Sequence, residues 1–252
     1  MTQEQIKYAI ETGQYPRYIY RYLSLNENNI KSLRERYLWL SNLRDFNDPY
    51  EGNIRIDRNY RKEEIDAFCY LRKDIATQED IAAIYANPIS FFDDAMNRIR
   101  DNEKFCCFST INNNILMWAH YADKHTGICL EFDLLKDEKE TLTRTLLPVR
   151  YTNVNRSFNY VRNSDGYLER LLFTKSLDWA YEHEYRLAKS GLEGNKLYFN
   201  EQTLNSVIFG CRTTLEDKQV VKSILNNNVE YKQCVMNQYA FKLDIEHYTW
   251  RT

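Results

Sequence analysis

Phe105–Asp133, FCCFSTINNNILMWAHYADKHTGICLEFD, is the stretch from which the fold is read. Its opening, Lys104–Ser109 (KFCCFS), is a bulky apolar run of strand type. Asn113–Asp123 then places Met117, Trp118 and Tyr121 at spacings that turn one side of a short helix toward a core. Asn112 or Asn113 suits its N-cap, where a short side chain accepts bonds from free backbone N–H groups, and Gly127 suits the stop. Ile128–Asp133 alternates, with Ile128, Leu130 and Phe132 facing one way and Cys129, Glu131 and Asp133 the other.

Working outward, Arg17–Tyr22 (RYIYRY) and Tyr37–Ser41 (YLWLS) read as strands flanking a helix over Asn26–Arg36. A further helix is expected over Gln3–Tyr8, unless that end frays. Asn47-Asp48-Pro49 is turn chemistry, because Pro49 pushes Asp48 out of the helical region. Tyr60 to about Asn102 is mostly helical by pattern, broken at Asn87-Pro88. Toward the C-terminus, strands are expected over Leu147–Tyr151, Tyr181–Leu187, Ser206–Gly210, Val229–Val235 and Tyr239–Asp244, with helices over Asp165–Phe173 and Leu215–Asn226. Seven or eight short strands with irregularly inserted helices predict an α+β fold with a mixed or mainly antiparallel sheet. The expected organisation is a single domain over residues 1–252, with a mostly helical insertion near 60–102. No GxGxxG or Walker A sequence occurs, so neither a Rossmann nor a P-loop phosphate site is expected.

Composition narrows the class. At 43% hydrophobic, with only seven Gly and four Pro, the 252-residue chain is neither disordered nor linker-rich. A net charge of −2 argues against broad nucleic-acid binding, although Arg34, Arg36, Arg44, Arg55, Arg58, Arg61 and Lys62 make the N-terminal region locally basic. Twenty Tyr and twelve Phe suit surfaces that stack on bases, sugars or partner proteins; an AT-rich genome would produce the same surplus. The six cysteines lack CxxC spacing, and Cys106–Cys107 read as buried core thiols. Met1–Tyr8 has no signal-peptide apolar region and no stretch approaches a membrane span, so a cytoplasmic location is expected.

Two segments carry the chemistry. In the first, Ser109 and Thr110 stand where a strand ends, His120 and Lys124 form an i,i+4 pair, and His125 precedes Gly127. His120, Asp123 and His125 give HxxDxH, which lacks a third strong ligand at a defined spacing, so no metal site is expected. The second is Lys175–Arg186, KSLDWAYEHEYR. As a strand it projects Glu182, Glu184 and Arg186 from one face, where two carboxylates and a cation can orient a sugar hydroxyl or stabilise an oxocarbenium-like centre. As a helix it makes Glu182–Arg186 an ordinary surface pair.

These pieces together resemble bacterial domain-of-unknown-function family 2971. The matching residues are Tyr20-Arg21-Tyr22, Leu38-Trp39-Leu40-Ser41, Phe46-Asn47-Asp48-Pro49-Tyr50-Glu51 and Cys107-Phe108-Ser109. Met117-Trp118-Ala119-His120-Tyr121-Ala122, His125-Thr126-Gly127, and Trp179 with Glu182, Glu184 and Arg186 complete them. The likeness runs from about Tyr18 to Asp244, and the family name carries no activity.

A second resemblance, to ADP-ribosyltransferases of the Arg–Ser–Glu type, suggests one. That family's order appears as Arg21, then Ser109-Thr110, then Glu182-x-Glu184, with Ile111 where a second Ser is expected. The resemblance implies a split sheet and NAD as substrate. It makes Glu184, Glu182 and Arg186 catalytic, and Arg21, Ser109, Thr110, His120, Tyr121 and His125 NAD-binding. In this scheme Glu184 holds the nicotinamide ribose, Glu182 activates the acceptor, and Tyr121 stacks on nicotinamide. It implies a macromolecular acceptor, protein or nucleic acid, and by association a role in bacterial stress or antiphage defence. Two other readings stand beside it: a nuclease or other phosphodiester hydrolase using His120, His125 and Glu184, and a nonenzymatic module that binds nucleic acid or protein through its aromatic surface.

Overall fold

The computed structural model describes residues 2–53, 55–155, 157–162, 166–226 and 228–250. The chain opens with α1 (Gln3–Glu11), started by a capping box in which Thr2 and Gln5 satisfy each other's free N–H groups. β1 (Tyr18–Leu23), α2 (Glu27–Glu35, N-capped by Asn26), β2 (Tyr37–Trp39) and β3 (Ser41–Asn42) follow. The helical run is α3 (Lys62–Leu71), α4 (Gln78–Ala86) and α5 (Pro88–Asn102). Pro88 starts α5 without cost because its missing N–H falls in the first turn. Then come β4 (Glu103–Ser109), α6 (Ile115–Tyr121), β5 (Ile128–Asp133), β6 (Leu146–Pro148), β7 (Arg150–Thr152), α7 (Tyr167–Leu172) and β8 (Thr174–Ser176). A 3-10 turn over Leu177–Glu182 leads into β9 (Glu184–Ser190). β10 (Lys196–Tyr198), β11 (Leu204–Phe209), α8 (Leu215–Leu225), β12 (Glu230–Met236) and β13 (Leu243–His247) complete the chain.

These elements pack into two compact units. Met1–Leu40, Phe105–Val149 and Asp178–Thr252 form the first; Ser41–Lys104 and Arg150–Leu177 form the second. The main sheet runs β13-β12-β11-β5-β1-β4-β9-β6. β1 is antiparallel to β4 and β5, β11 to β5, β12 to β13 and β6 to β9. β11 and β12 run parallel, because α8 carries the chain back between them. The expected α+β class and mainly antiparallel sheet are borne out.

Strand alternation gives this sheet two unlike faces. Ile19 and Leu23 from β1, Cys106 and Phe108 from β4, Ile128, Leu130 and Phe132 from β5, and Leu187 from β9 join one large apolar cluster. Tyr20 and Tyr22, one residue out of phase, join a second cluster with Met117 and Trp118 of α6, Cys129, Ile208 and Cys234. Trp118 is fully buried, its indole N–H bonded to the Asn112 carbonyl at 2.8 Å and its ring edge-on to Tyr22. The second face also carries polarity. The buried Glu131 carboxylate accepts from Asn205 Nδ2 (2.7 Å), Ser206 Oγ (3.0 Å) and Lys232 Nζ (3.0 Å). Burial opposes ionisation of Glu131, yet these bonds outweigh it and its pKa is lowered.

In the second unit Phe92 of α5 collects Tyr60, Phe68 and Tyr160, the last stacked at 4.9 Å. The Asn47-Asp48-Pro49 turn is as expected: Asp48 Oδ1 accepts from the Tyr50 N–H at 2.9 Å. Glu51 pairs with Lys175 at 3.2 Å, both side chains buried.

Three strand expectations are corrected. Leu147–Tyr151 is two strands, β6 in the main sheet and β7 in a separate two-stranded sheet with β8. Tyr239–Asp244 is mostly a turn, and β13 starts at Leu243, because Asn237 Oδ1 takes the N–H groups of Tyr239 and Ala240. Tyr181–Leu187 is strand only from Glu184. Asp165, the expected start of the helix ending near Phe173, lies outside the described residues. Among the described residues no helix is long and apolar enough to cross a membrane.

Candidate functional site

The site is built on the second face of the main sheet, where α6 meets the 3-10 turn and β9. Asn114 is the actual N-cap of α6: its Oδ1 accepts from the N–H groups of Leu116 (2.8 Å) and Met117 (3.1 Å). Its Nδ2 donates to the Tyr181 carbonyl at 3.2 Å, so one side chain both starts the helix and ties it to the 3-10 turn. Helical spacing then puts Met117, Trp118 and Tyr121 toward the sheet and leaves His120 exposed.

The pair Glu182 and Glu184 is divided by backbone conformation. His183 is left-handed, with φ of 45°. This turns the chain between the last residue of the 3-10 turn and the first of β9, so the two carboxylates do not share an uninterrupted strand face. Glu182 accepts a 2.5 Å bond from the Tyr121 hydroxyl. Burial, reinforced by the Glu182 charge, pushes the Tyr121 pKa far above the phenol range, so Tyr121 is a permanent donor. Glu184 is gripped by Arg186 in a two-pronged pair, Nε to Oε1 at 2.7 Å and Nη2 to Oε2 at 3.0 Å. Both side chains are buried, Arg186 completely. The Cys107 thiol bonds the Glu184 carboxylate; burial first, then the Glu184 charge, raises its pKa well above the usual thiol value. Cys107 is therefore a neutral neighbour, less deeply buried than Cys106.

Ser109 and Thr110 act on this turn through the backbone. Ser109 Oγ donates to the Glu182 carbonyl at 2.6 Å and accepts from the Ile111 N–H at 3.1 Å, while the Thr110 N–H donates to the His183 carbonyl at 3.1 Å. The end of β4 thus clamps the peptide that presents both carboxylates. His120 of α6 and Tyr181 and Trp179 of the 3-10 turn form a partly exposed row of rings, with the His120 and Tyr181 centroids 6.3 Å apart and those of Tyr181 and Trp179 6.1 Å apart. The arrangement is a buried carboxylate held by a tyrosine and a buried carboxylate fixed by an arginine, with partly exposed rings on the same helix and turn.

Two residues expected at this site stand elsewhere. Arg21 alternates with Tyr20 and Tyr22 and therefore projects from the opposite face, where it bonds Cys106 Sγ (2.7 Å) and the Cys107 carbonyl (3.1 Å). It does not converge with Glu184. His125 lies beyond α6, which ends at Tyr121, so the expected helical His120–Lys124 pair is absent. Asp123, Lys124 and His125 are three successive left-handed residues (φ 44°, 54° and 73°), a conformation L side chains resist. Two glycines make room for it. A Cβ on Gly127 would stand 2.2 Å from the Leu23 carbonyl oxygen, and one on Gly210 2.1 Å from that of His125. The Gly210 N–H bonds the Gly127 carbonyl and the Arg212 N–H bonds the His125 carbonyl, both at 3.0 Å. Burial, then the nearby Arg212 charge, lowers the His125 pKa, and its buried Nδ1 has no hydrogen-bond partner among the described residues. Among the described residues no group of three or more His, Cys, Asp and Glu is arranged to hold a metal ion.

Sequence reasoning missed the helix-to-turn role of Asn114 and the Cys107 contact. The run Asn112–Asn114 signalled a cap without fixing which residue supplies it.

Residues 117–187 match the model of a family described as a protein of unknown function (DUF2971), from within α6 into β9. The resemblance to that family is borne out over these residues. No curated protein and no solved structure matches the chain.

Proposed function

We propose that the α6–β9 face is an NAD-consuming site of ADP-ribosyltransferase type, serving a protein or nucleic-acid acceptor. The observation that carries this reading is the pair of buried carboxylates, Glu182 bonded by Tyr121 and Glu184 fixed by Arg186, on the turn and strand that also carry the partly exposed rings of Tyr181 and Trp179 next to His120. In the reaction the bond between the nicotinamide nitrogen and ribose C1′ breaks, and its electron pair leaves with nicotinamide. Positive charge builds on the ribose, and the Glu184 carboxylate stabilises it; Arg186 holds that carboxylate in one orientation, so no reorganisation is needed at the transition state. Glu182 takes the proton of the acceptor nucleophile as it bonds to C1′. The row of rings stacks on the nicotinamide. Ser109, Thr110 and Asn114 position the turn. Arg21 and His125 have no part in this version of the site.

The test is nicotinamide release from NAD by the full chain. Release that falls by at least about a hundredfold in Glu184→Gln, with the fold unchanged by circular dichroism, is expected for loss of an electrostatic stabiliser. Absence of NAD binding by calorimetry together with no nicotinamide release refutes the proposal.

A further inference from the structure

The two-stranded ribbon of β2 and β10 carries exposed rings that the first site does not use. Its register pairs Tyr37 with Tyr198 and Trp39 with Lys196, so these four side chains share one face. Leu38 and Leu197, out of phase with them, go to the large apolar cluster on the other side. Burial thus explains the leucines but not the outward rings, since Trp39 is 49% exposed and Tyr198 59% exposed. Tyr37 is buried between its neighbours, edge-on to Tyr198 at 6.0 Å and beneath the Lys196 ammonium at 4.3 Å. Trp39 and Tyr198 are diagonal neighbours across the ribbon, roughly 7–8 Å apart in backbone position. Two accessible flat surfaces therefore stand side by side with a cation next to both.

Charge around these rings is positive. Glu35 is shared by two ammonium groups, Lys196 at 2.7 Å and Lys31 at 3.8 Å. Arg34, exposed on α2, has no carboxylate partner among the described residues. Three cations thus stand against one carboxylate, in a chain whose net charge is −2. The Lys196–Glu35 pair lies at the surface, with 34% and 37% of its side chains exposed, so an incoming phosphate displaces it at little cost. Rings alone would suit a sugar, and cations alone would suit any polyanion. Together they suit a strand of unpaired nucleotides, in which each base offers a π-face and each linkage a phosphate.

We infer that the β2–β10 ribbon binds single-stranded nucleic acid, with Trp39 and Tyr198 stacking on bases and Lys196 meeting a phosphate. The inference does not depend on NAD chemistry at the first site.

The experiment is fluorescence anisotropy with the full chain, without NAD, and three end-labelled probes of about twelve nucleotides. The probes are oligothymidine, its abasic analogue and its duplex with oligoadenosine. Oligothymidine is expected to bind, with the abasic strand and the duplex weaker by at least about tenfold. Trp39→Ala and Tyr198→Ala should each weaken binding by about 5- to 150-fold, the loss of one stacked base, and Trp39→Tyr should retain most of it. Lys196→Gln should reduce the slope of log affinity against log salt by about 0.7, one phosphate contact fewer. Bound oligothymidine should quench tryptophan emission in the wild type and less so in Trp39→Phe. The inference is wrong if oligothymidine does not bind, or if both alanine variants bind as the wild type does. Equal binding of the abasic strand overturns it too, since that marks a polyanion surface without base recognition. Should an alanine variant fail to fold, the Trp39→Phe emission and the Lys196→Gln salt slope carry the same decision. Glu184→Gln should bind oligothymidine as the wild type does, so this inference and nicotinamide release fail separately.

Discussion

On one face of the main sheet, Arg21 stands in the layer of Ile19, Leu23 and Cys106, and among the described residues its charge meets a thiol and two carbonyls. On the other face, Glu131 is satisfied by Asn205, Ser206 and Lys232, Glu184 by Arg186, and Glu182 by Tyr121. Both faces bury polar groups, but one closes them into opposite-charge and hydrogen-bonded sets, whereas on the other a half-buried cation is held, among the described residues, by neutral acceptors. The difference shows how strand geometry regroups a motif. Arg21, Ser109 and Glu184 follow one another in sequence order, yet β1 points Arg21 away from the turn that Ser109 clamps. Closed sets cost most when one member is deleted, because the survivor stays buried and unpaired. A cation already without an anion has less to lose.

The largest effect should come from breaking the closed face at Arg186. Arg186→Met removes the cation that grips the buried Glu184 carboxylate and should cost about 3–5 kcal/mol, read as a fall in the urea midpoint. Arg21→Gln should cost about 1 kcal/mol in the same assay, since its partners are neutral. Equal losses would remove the distinction between the faces. Next in size, Tyr121→Phe deletes the bond to Glu182 and should cost about 1–2 kcal/mol. Far-ultraviolet circular dichroism should not change, because the ring remains.

The smallest effect sharpens the comparison through pH. Glu131 has a folded pKa below its ordinary 4.5, so its contribution to stability is complete above that value and is lost as pH falls through the folded pKa. The wild type should therefore lose stability below about pH 4.5, and Glu131→Gln should lose it less steeply there. A steeper decline in Glu131→Gln would mean that the hydrogen bonds do not hold the carboxylate charged.

Much of the sheet was legible because burial imposes period two on it: β1 and β5 run within a residue of the sequence expectation. Helix starts were legible where a cap residue leads, as at Asn26, and one or two residues off where Asn112, Asn113 and Asn114 compete. The Glu182–Arg186 segment was legible as a place and not as a shape. Its alternation of charged and aromatic residues fits a strand, but the left-handed His183 is imposed by long-range bonds from Ser109 and Thr110, which no local pattern encodes. The sheet face occupied by Arg21 relative to Glu184 likewise depends on how β1, β4 and β9 associate. The strand expected at Tyr239–Asp244 failed for a local reason, since the Asn237 side chain ties its first N–H groups into a turn.

The crossing at Gly127 and Gly210 has a bearing on how exchange with heavy water should look. The amides of Gly210 and Arg212 donate to carbonyls of a loop more than eighty residues earlier, across two strands that pair along their length. Neither glycine leaves room for the loop to shift sideways while β1, β5 and β11 stay aligned. Those two protons should be released only when the central strands separate, so their deuterium uptake would act as a clock for global opening of the first unit, well behind the exposed turn at Tyr239.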